Sequence, residues 1–183
     1  MINVIEYEKG IKVKRNVACI GYFDGVHRGH QELIKRTVAL ASSKGLEAAL
    51  ITFKPDPDEV IHRTRNSHIN SFKKRIKLFE QFGIETVIII PFDEETMRMS
   101  PEDFCHKILS KLNIDTLTCG FDFSFAYKGQ GRAADLERLG MKVEVVPELK
   151  YYGKKISSTR IRKAIAEGKT ELAEKMLGYE YRK

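Results

Sequence analysis

The sequence predicts an α/β fold, a parallel sheet with helices on both faces, and three observations carry that prediction. Five short stretches, 17–23, 47–53, 86–92, 116–121 and 142–147, have strand length, and the first three are largely apolar without apolar/polar alternation, as strands buried on both faces are. Segments with a 3.6-residue apolar period separate the first four of them, the β–α–β rhythm of a parallel sheet. No shift in composition and no Pro-, Gly- or Ser-rich stretch marks a linker, so residues 1–183 read as one domain.

"VACIGYF" (17–23) opens the sheet as a mostly apolar strand. "HQELIKRTVALASSKG" (30–45) follows as a helix with Ile34, Val38 and Ala41 on one face and Gly45 as its stop. "EAALITF" (47–53) is the second buried strand. "SFKKRIKLFEQFG" (71–83) is helical, with Phe72, Ile76 and Phe79 on one face. "TVIIIPF" (86–92) is rich in the β-branched residues that suit a strand. "SPEDFCHKILSKLN" (100–113) has a strong helix start, with Ser100 as N-cap, Pro101 at the first helical position and two acids in the first turn. "TLTCGF" (116–121) and "KVEVVP" (142–147) complete the strands. Two short helices, near 158–167 and 170–177, are separated by Gly168.

Composition narrows the function classes. At 183 residues, 42% of them hydrophobic and 31% charged, the chain has enough material for a substantial core. No apolar run approaches the ~18 residues of a membrane span, and the charges in "MINVIEYEKG" stand where a signal peptide needs its apolar stretch. Cys19, Cys105 and Cys119 are scattered and odd in number, which favours reduced thiols in a cytoplasmic protein over a disulfide framework. The net charge of +7 suggests an anionic partner. Its basic runs ("KKRIK", "RIRK", "YRK") carry no aromatic interleaving and no nucleic-acid motif, so a nucleotide or phosphorylated small molecule fits better than nucleic acid. Nothing in the sequence signals an oligomeric state.

Four constellations could carry chemistry. In "GYFDGVHRGH", His27 and His30 lie three apart where a strand gives way to a helix, so they share a face beside the free N–H groups of the helix start. Two imidazoles there can donate to phosphate oxygens, and Gly25 and Gly29 allow close backbone approach. The rival readings are a structural cap and a metal site, and no further His or Cys is spaced to complete the latter. "KKISSTRIRKAI" (154–165) offers a second anion site of hydroxyls, backbone N–H groups, Arg160 and Arg162, or an ordinary Ser/Thr cap with exposed arginines. Pro55 and Pro57 in "TFKPDPDEV" stiffen the backbone at the ligand-facing end of a strand, or make a plain rigid turn. "CGFDFSFAYKGQG" (119–131) sets aromatics and Asp122 beyond another strand end, where rings stack on a planar ligand or pack in the core.

Taken in order, "GYFDGVHRGH", "TFKPDP", "PFDEETMRMSPEDF", "CGFDFSF" and "ISSTRIR" resemble the FMN adenylyltransferase (FAD synthetase) module of bacterial bifunctional riboflavin kinase/FMN adenylyltransferases. The similarity runs from about residue 14 to "LGYEY". "FDGVHRGH" differs from the corresponding stretch of cytidylyltransferases and pantetheine-phosphate adenylyltransferases between Asp and the first His. The resemblance implies a Rossmann-like nucleotidyltransferase (HxGH) fold and an ATP- and Mg²⁺-dependent transfer of AMP to FMN, giving FAD and pyrophosphate. It further implies that His27, His30 and Arg162 act on the ATP phosphates, with Ser157, Ser158, Thr159 and Arg162 holding the β- and γ-phosphates. Gly21, Phe23, Asp24, Gly25 and Gly29 would form the nucleotide loop, Asp122 would lie near nucleotide and metal, and Pro55 and Pro57 near the flavin.

Departures from the family pattern fall on the flavin side and beside the triphosphate. Asp56 stands where the family usually has His, and Ala126 replaces a usual Gly. The span from there to "VEVV" is shortened, and "HRTRNSHIN" (62–70) is terse. No riboflavin kinase module follows "LGYEYRK", so that activity is expected to be absent. Two other readings remain: a nucleotidyltransferase with a different phosphorylated acceptor, and a weakly active flavin-nucleotide-binding or regulatory protein.

Overall fold

Successive side chains of a strand point to opposite faces, and in the central strands both faces are apolar. The computed structural model describes residues 1–62 and 68–181, so residues 63–67 of "HRTRNSHIN" and the last two residues of the "YRK" run lie outside it. Six parallel strands, β1 (Asn3–Glu6), β2 (Asn16–Ile20), β3 (Glu47–Lys54), β4 (Thr86–Pro91), β5 (Ile114–Gly120) and β6 (Val143–Val146), form one sheet in the order β1-β4-β3-β2-β5-β6. Val17, Cys19, Leu50, Val87 and Ile89 cover one face. They pack against Leu33, Ile34 and Ala41 of α1 (Arg28–Lys44) and Phe79 of α3 (Phe72–Gln81). Ala18, Ile20, Ile51, Ile88 and Ile90 cover the other, against Phe104 and Cys105 of α5 (Pro101–Lys107) and Leu136 of α6 (Ala133–Arg138). The expected α/β architecture is therefore the observed one.

A third apolar cluster lies beyond the sheet. Ile69, Ile156, Ile161, Met176 and Leu177 bring together α7 (Ser158–Ala166), α8 (Thr170–Leu177) and the segment before α3. All three cysteines are free and buried. Among the described residues no helix is long and apolar enough to cross a membrane.

Several boundaries depart from expectation for identifiable reasons. The strand expected to reach residue 23 ends at Ile20, because Phe23 turns into the left-handed region at φ 61°. The helix after it begins at Arg28 rather than residue 30, with His27 as its N-cap. The helix expected over 100–113 breaks at Ile108 (φ −114°, ψ −68°) into a 3₁₀ turn, Leu109–Lys111. Unexpected elements are the exposed edge strand β1, the short helices α2 (Pro57–His62), α4 (Glu94–Arg98) and α6, and a hairpin of β7 (Lys150–Tyr151) and β8 (Lys154–Lys155).

Strands β3 and β4 lie on one side of β2, while β5 and β6 lie on the other. The winding therefore reverses between β2 and β5, the place where an open α/β sheet leaves a crevice beyond its carboxyl ends.

Candidate active site

The chain leaves β2 through a turn that only a few backbones can make. Phe23, Gly25 and Val26 all have positive φ, at 61°, 76° and 40°. A Cβ on Gly25 would lie 2.8 Å from Ile69 Cδ1 as well as straining the backbone, so glycine is required here. Gln31 Nε2 secures the turn by donating to Val26 O (2.8 Å) and to Leu177 O (2.6 Å). Tyr179 Oη donates to Gly25 O and accepts from Asn70 Nδ2.

The turn delivers two histidines to the start of α1. His27 Nδ1 accepts from His30 N at 3.3 Å, which puts the ring proton of neutral His27 on Nε2. The two imidazoles stack at 3.6 Å, 15° from parallel, and the Phe23 ring meets His30 edge-on at 5.2 Å. A Cβ on Gly29 would sit 3.2 Å from the His27 ring, so this glycine keeps the stack close. Burial above all pushes His27 down to about 4, with Lys155 adding to the effect and Asp122 opposing it. Burial also holds His30 well below the ordinary histidine range, helped by His27, Lys155 and Arg75. Both rings are neutral at pH 7, and His30 Nδ1 is buried with no partner among the described residues.

A second helix start faces the first. Ser157 is the N-cap of α7, its Oγ accepting from Arg160 N at 3.3 Å, and the Ser158 hydroxyl donates to Asp24 O at 2.9 Å. His27, Gly29 and His30 from α1 and Ser157 and Ser158 from α7 line one cleft of about 260 Å³. The positive ends of two helices thus converge where the strand order reverses, an arrangement that favours an anion. Gly120, Phe121 and Asp122 at the end of β5 and Val146 and Pro147 at the end of β6 complete much of the wall.

The remaining sequence candidates fall in distinct places. Asp122 lines the cleft, half-exposed and ion-paired with Lys155, whose ammonium also lies 5.1 Å from the Phe121 ring. Thr159 is exposed in the first turn of α7. Arg162 is outside the cleft lining, with Nη1 2.7 Å from Asp24 Oδ2. Arg160 donates to the carbonyls of Tyr151, Lys154 and Lys155 and so braces the β7–β8 hairpin. Pro55 and Pro57 lie beyond β3, outside the cleft lining. Of the aromatics after β5, Phe121 is half-exposed at the cleft, whereas Phe125 packs in the core and Phe123 lies against it.

Sequence reasoning missed Lys155 and the buried Arg75. The Arg75 guanidinium donates to Tyr22 O (2.9 Å) and lies 4.6 Å from the Tyr22 ring, holding the segment just before the histidine turn. Lys155 sits two residues before an N-cap that the sequence did reveal; Arg75 shares the helix face of Phe72 and Phe79, but an arginine there reads as a solvated side chain rather than a buried one.

Comparison with known proteins agrees with this geometry. A family model described as FAD synthetase matches residues 11–160. A bifunctional riboflavin kinase/FMN adenylyltransferase from Listeria monocytogenes is 34% identical over 90% of this chain and 54% of its own length. The protein of that name from Bacillus subtilis is 36% identical over 91% and 54%. The chain spans about half the length of these curated relatives. A crystal structure described as a macrolide-efflux protein from Streptococcus pneumoniae aligns with TM-score 0.89 at 28% identity, over 99% of this chain and 72% of that one. A pantoate-beta-alanine ligase from Francisella tularensis aligns at 0.58 with 14% identity, over 97% of this chain and 78% of that one, a likeness of fold.

Proposed function

The chain belongs to the FAD synthetase family, and from that premise we propose that it transfers AMP from ATP to FMN, releasing pyrophosphate and forming FAD. The observation that carries the proposal is the convergence of two helix N-termini, one bearing His27 and His30 and the other Ser157 and Ser158, on a single cleft. The FMN phosphate attacks the α-phosphorus in line as pyrophosphate departs, and charge accumulates on the phosphate oxygens. Positioned donors stabilise that charge without a protein nucleophile. His27 offers Nε2–H, and both rings donate as neutral imidazoles. Ser157, Ser158, Thr159 and the α7 N-terminus receive the β- and γ-phosphates together with Arg162. Gly21, Phe23, Asp24, Gly25 and Gly29 shape the loop on which the nucleotide rests, and Pro55 and Pro57 border the flavin.

Among the described residues no group of three or more His, Cys, Asp or Glu could hold a metal. The donor set therefore fits Mg²⁺ carried by the nucleotide's own phosphates, the usual manner of that ion, with Asp122 the cleft carboxylate that would join its shell. Mg²⁺ supplies charge neutralisation of the triphosphate. Residues 1–183 act as one nucleotidyltransferase domain on small molecules in the cytoplasm, a reading supported by the free, buried thiols and the diffuse charge.

Incubation with ATP, Mg²⁺ and FMN, followed by chromatography, is expected to yield FAD. Adenylylation of another phosphorylated acceptor in place of FMN would overturn the flavin assignment. ATP binding with no adenylyl transfer would leave a regulatory binder.

A further inference from the structure

Asp24 is buried at the centre of the histidine turn, its side chain 3% exposed. Its Oδ1 accepts from Ile69 N at 3.0 Å, and its Oδ2 accepts from Arg162 Nη1 at 2.7 Å. Its carbonyl takes the Ser158 hydroxyl. One residue thus ties together the turn after β2, the segment before α3 and the first turns of α7. Arg162 lies four residues after Ser158, on the same face of the helix, with its side chain 28% exposed. A guanidinium has five donors, and Asp24 takes one edge of the fork.

We propose that Asp24 is a positioning residue that acts on the nucleotide through Arg162. It fixes the guanidinium plane so that the other edge meets the triphosphate, and it holds the start of α7 in register with the histidines of α1. The proposal rests on the reading of the cleft as an ATP site. Its opposite is a latch in which Asp24 competes with phosphate for Arg162. The two differ in sign, since loss of the carboxylate weakens ATP binding in the first case and strengthens it in the second.

The test is a double-mutant cycle on ATP affinity, measured by calorimetry with Mg²⁺, alongside FAD formation and thermal melting. Asp24→Asn keeps an oxygen for Ile69 N but turns an amide donor toward Arg162. It is expected to weaken ATP binding about tenfold, as is Arg162→Ala, with the double variant no weaker than Arg162→Ala alone. Unchanged or tighter binding in Asp24→Asn, or losses that add in the double variant, would overturn the proposal. Arg162→Lys, at a partly exposed site, supplies an independent arm should Asp24→Asn fail to fold. An ammonium cannot present a planar fork, so its affinity should stay near that of Arg162→Ala, and full recovery would overturn the proposal. Wild-type ATP binding without FAD formation removes the FMN assignment while the cycle still decides the role of Asp24. Absence of wild-type ATP binding overturns both.

Discussion

His27 spends Nδ1 on its own helix, lines the cleft, and is kept uncharged by burial. Its value should go chiefly to the transition state, so His27→Ala is expected to lower turnover about 100-fold, the usual effect of losing one preorganised donor, against a loss of about 1 kcal/mol in stability from the missing cap. Steady-state assays beside thermal melts check this. The same burial makes the protein acid-sensitive. The folded value of about 4 lies below the ordinary 6.5, so as pH falls through 6.5 protons bind the unfolded chain first. Stability present above pH 6.5 is lost on the way to pH 4, by about 3 kcal/mol for this residue, and His30 acts in the same direction. Urea unfolding at pH 7 and 4.5 should show a smaller loss in His27→Gln than in the wild type. Ala126, noted as a departure from the family's glycine, has φ 65° and ψ −171°, a conformation essentially reserved for glycine. Ala126→Gly is therefore expected to stabilise the fold by about 1 kcal/mol, the relief of strain exceeding the added freedom of the unfolded chain, as read by denaturant midpoint.

Helix starts carry the site, and they were among the elements most legible from sequence. Ser100–Pro101 and Ser157 announce their helices because a side-chain oxygen before a first turn has a specific task. Ser157→Ala should cost about 1 kcal/mol in stability and also weaken ATP use, since the hydroxyl is at the cleft. Loss of stability with unchanged ATP dependence would mark it as a cap alone. Elements of few residues escaped notice. β1 is an exposed edge strand without a buried face to pattern it, and the β7–β8 hairpin turns at Tyr152 and Gly153, both at positive φ, where tyrosine gives no such signal. The break at Ile108 was invisible because the apolar period continues across it. The histidines could be read because chain neighbours make their geometry; the Asp24–Arg162 pair could not, because 138 residues separate the partners.

At the scale of the whole molecule, strand order puts the cleft at the reversal between β2 and β5, and nucleotide binding there should steady the entire fold. ATP at 100 times its dissociation constant adds about 2.7 kcal/mol, or roughly 5–10 °C in melting temperature for a chain of this size. The shift should shrink in Arg162→Ala at the same ATP concentration, and an equal shift would place the nucleotide elsewhere. The alternation of elements made this architecture readable, while the closure of the turn depends on contacts between remote segments. Gln31 reaches Leu177 across 146 positions, and Tyr179 reaches Gly25 across 154. That separation sets a timetable on the ribosome. At 5–20 residues per second, about 7–30 s pass between the making of the turn and of its late fastenings, the Leu177 carbonyl and the Tyr179 hydroxyl. The remaining four strands of the sheet, β3 to β6, are made in that interval, so the nascent chain has its sheet before its glycine turn is secured. Affinity for nucleotide therefore waits on the synthesis of α8 and Tyr179.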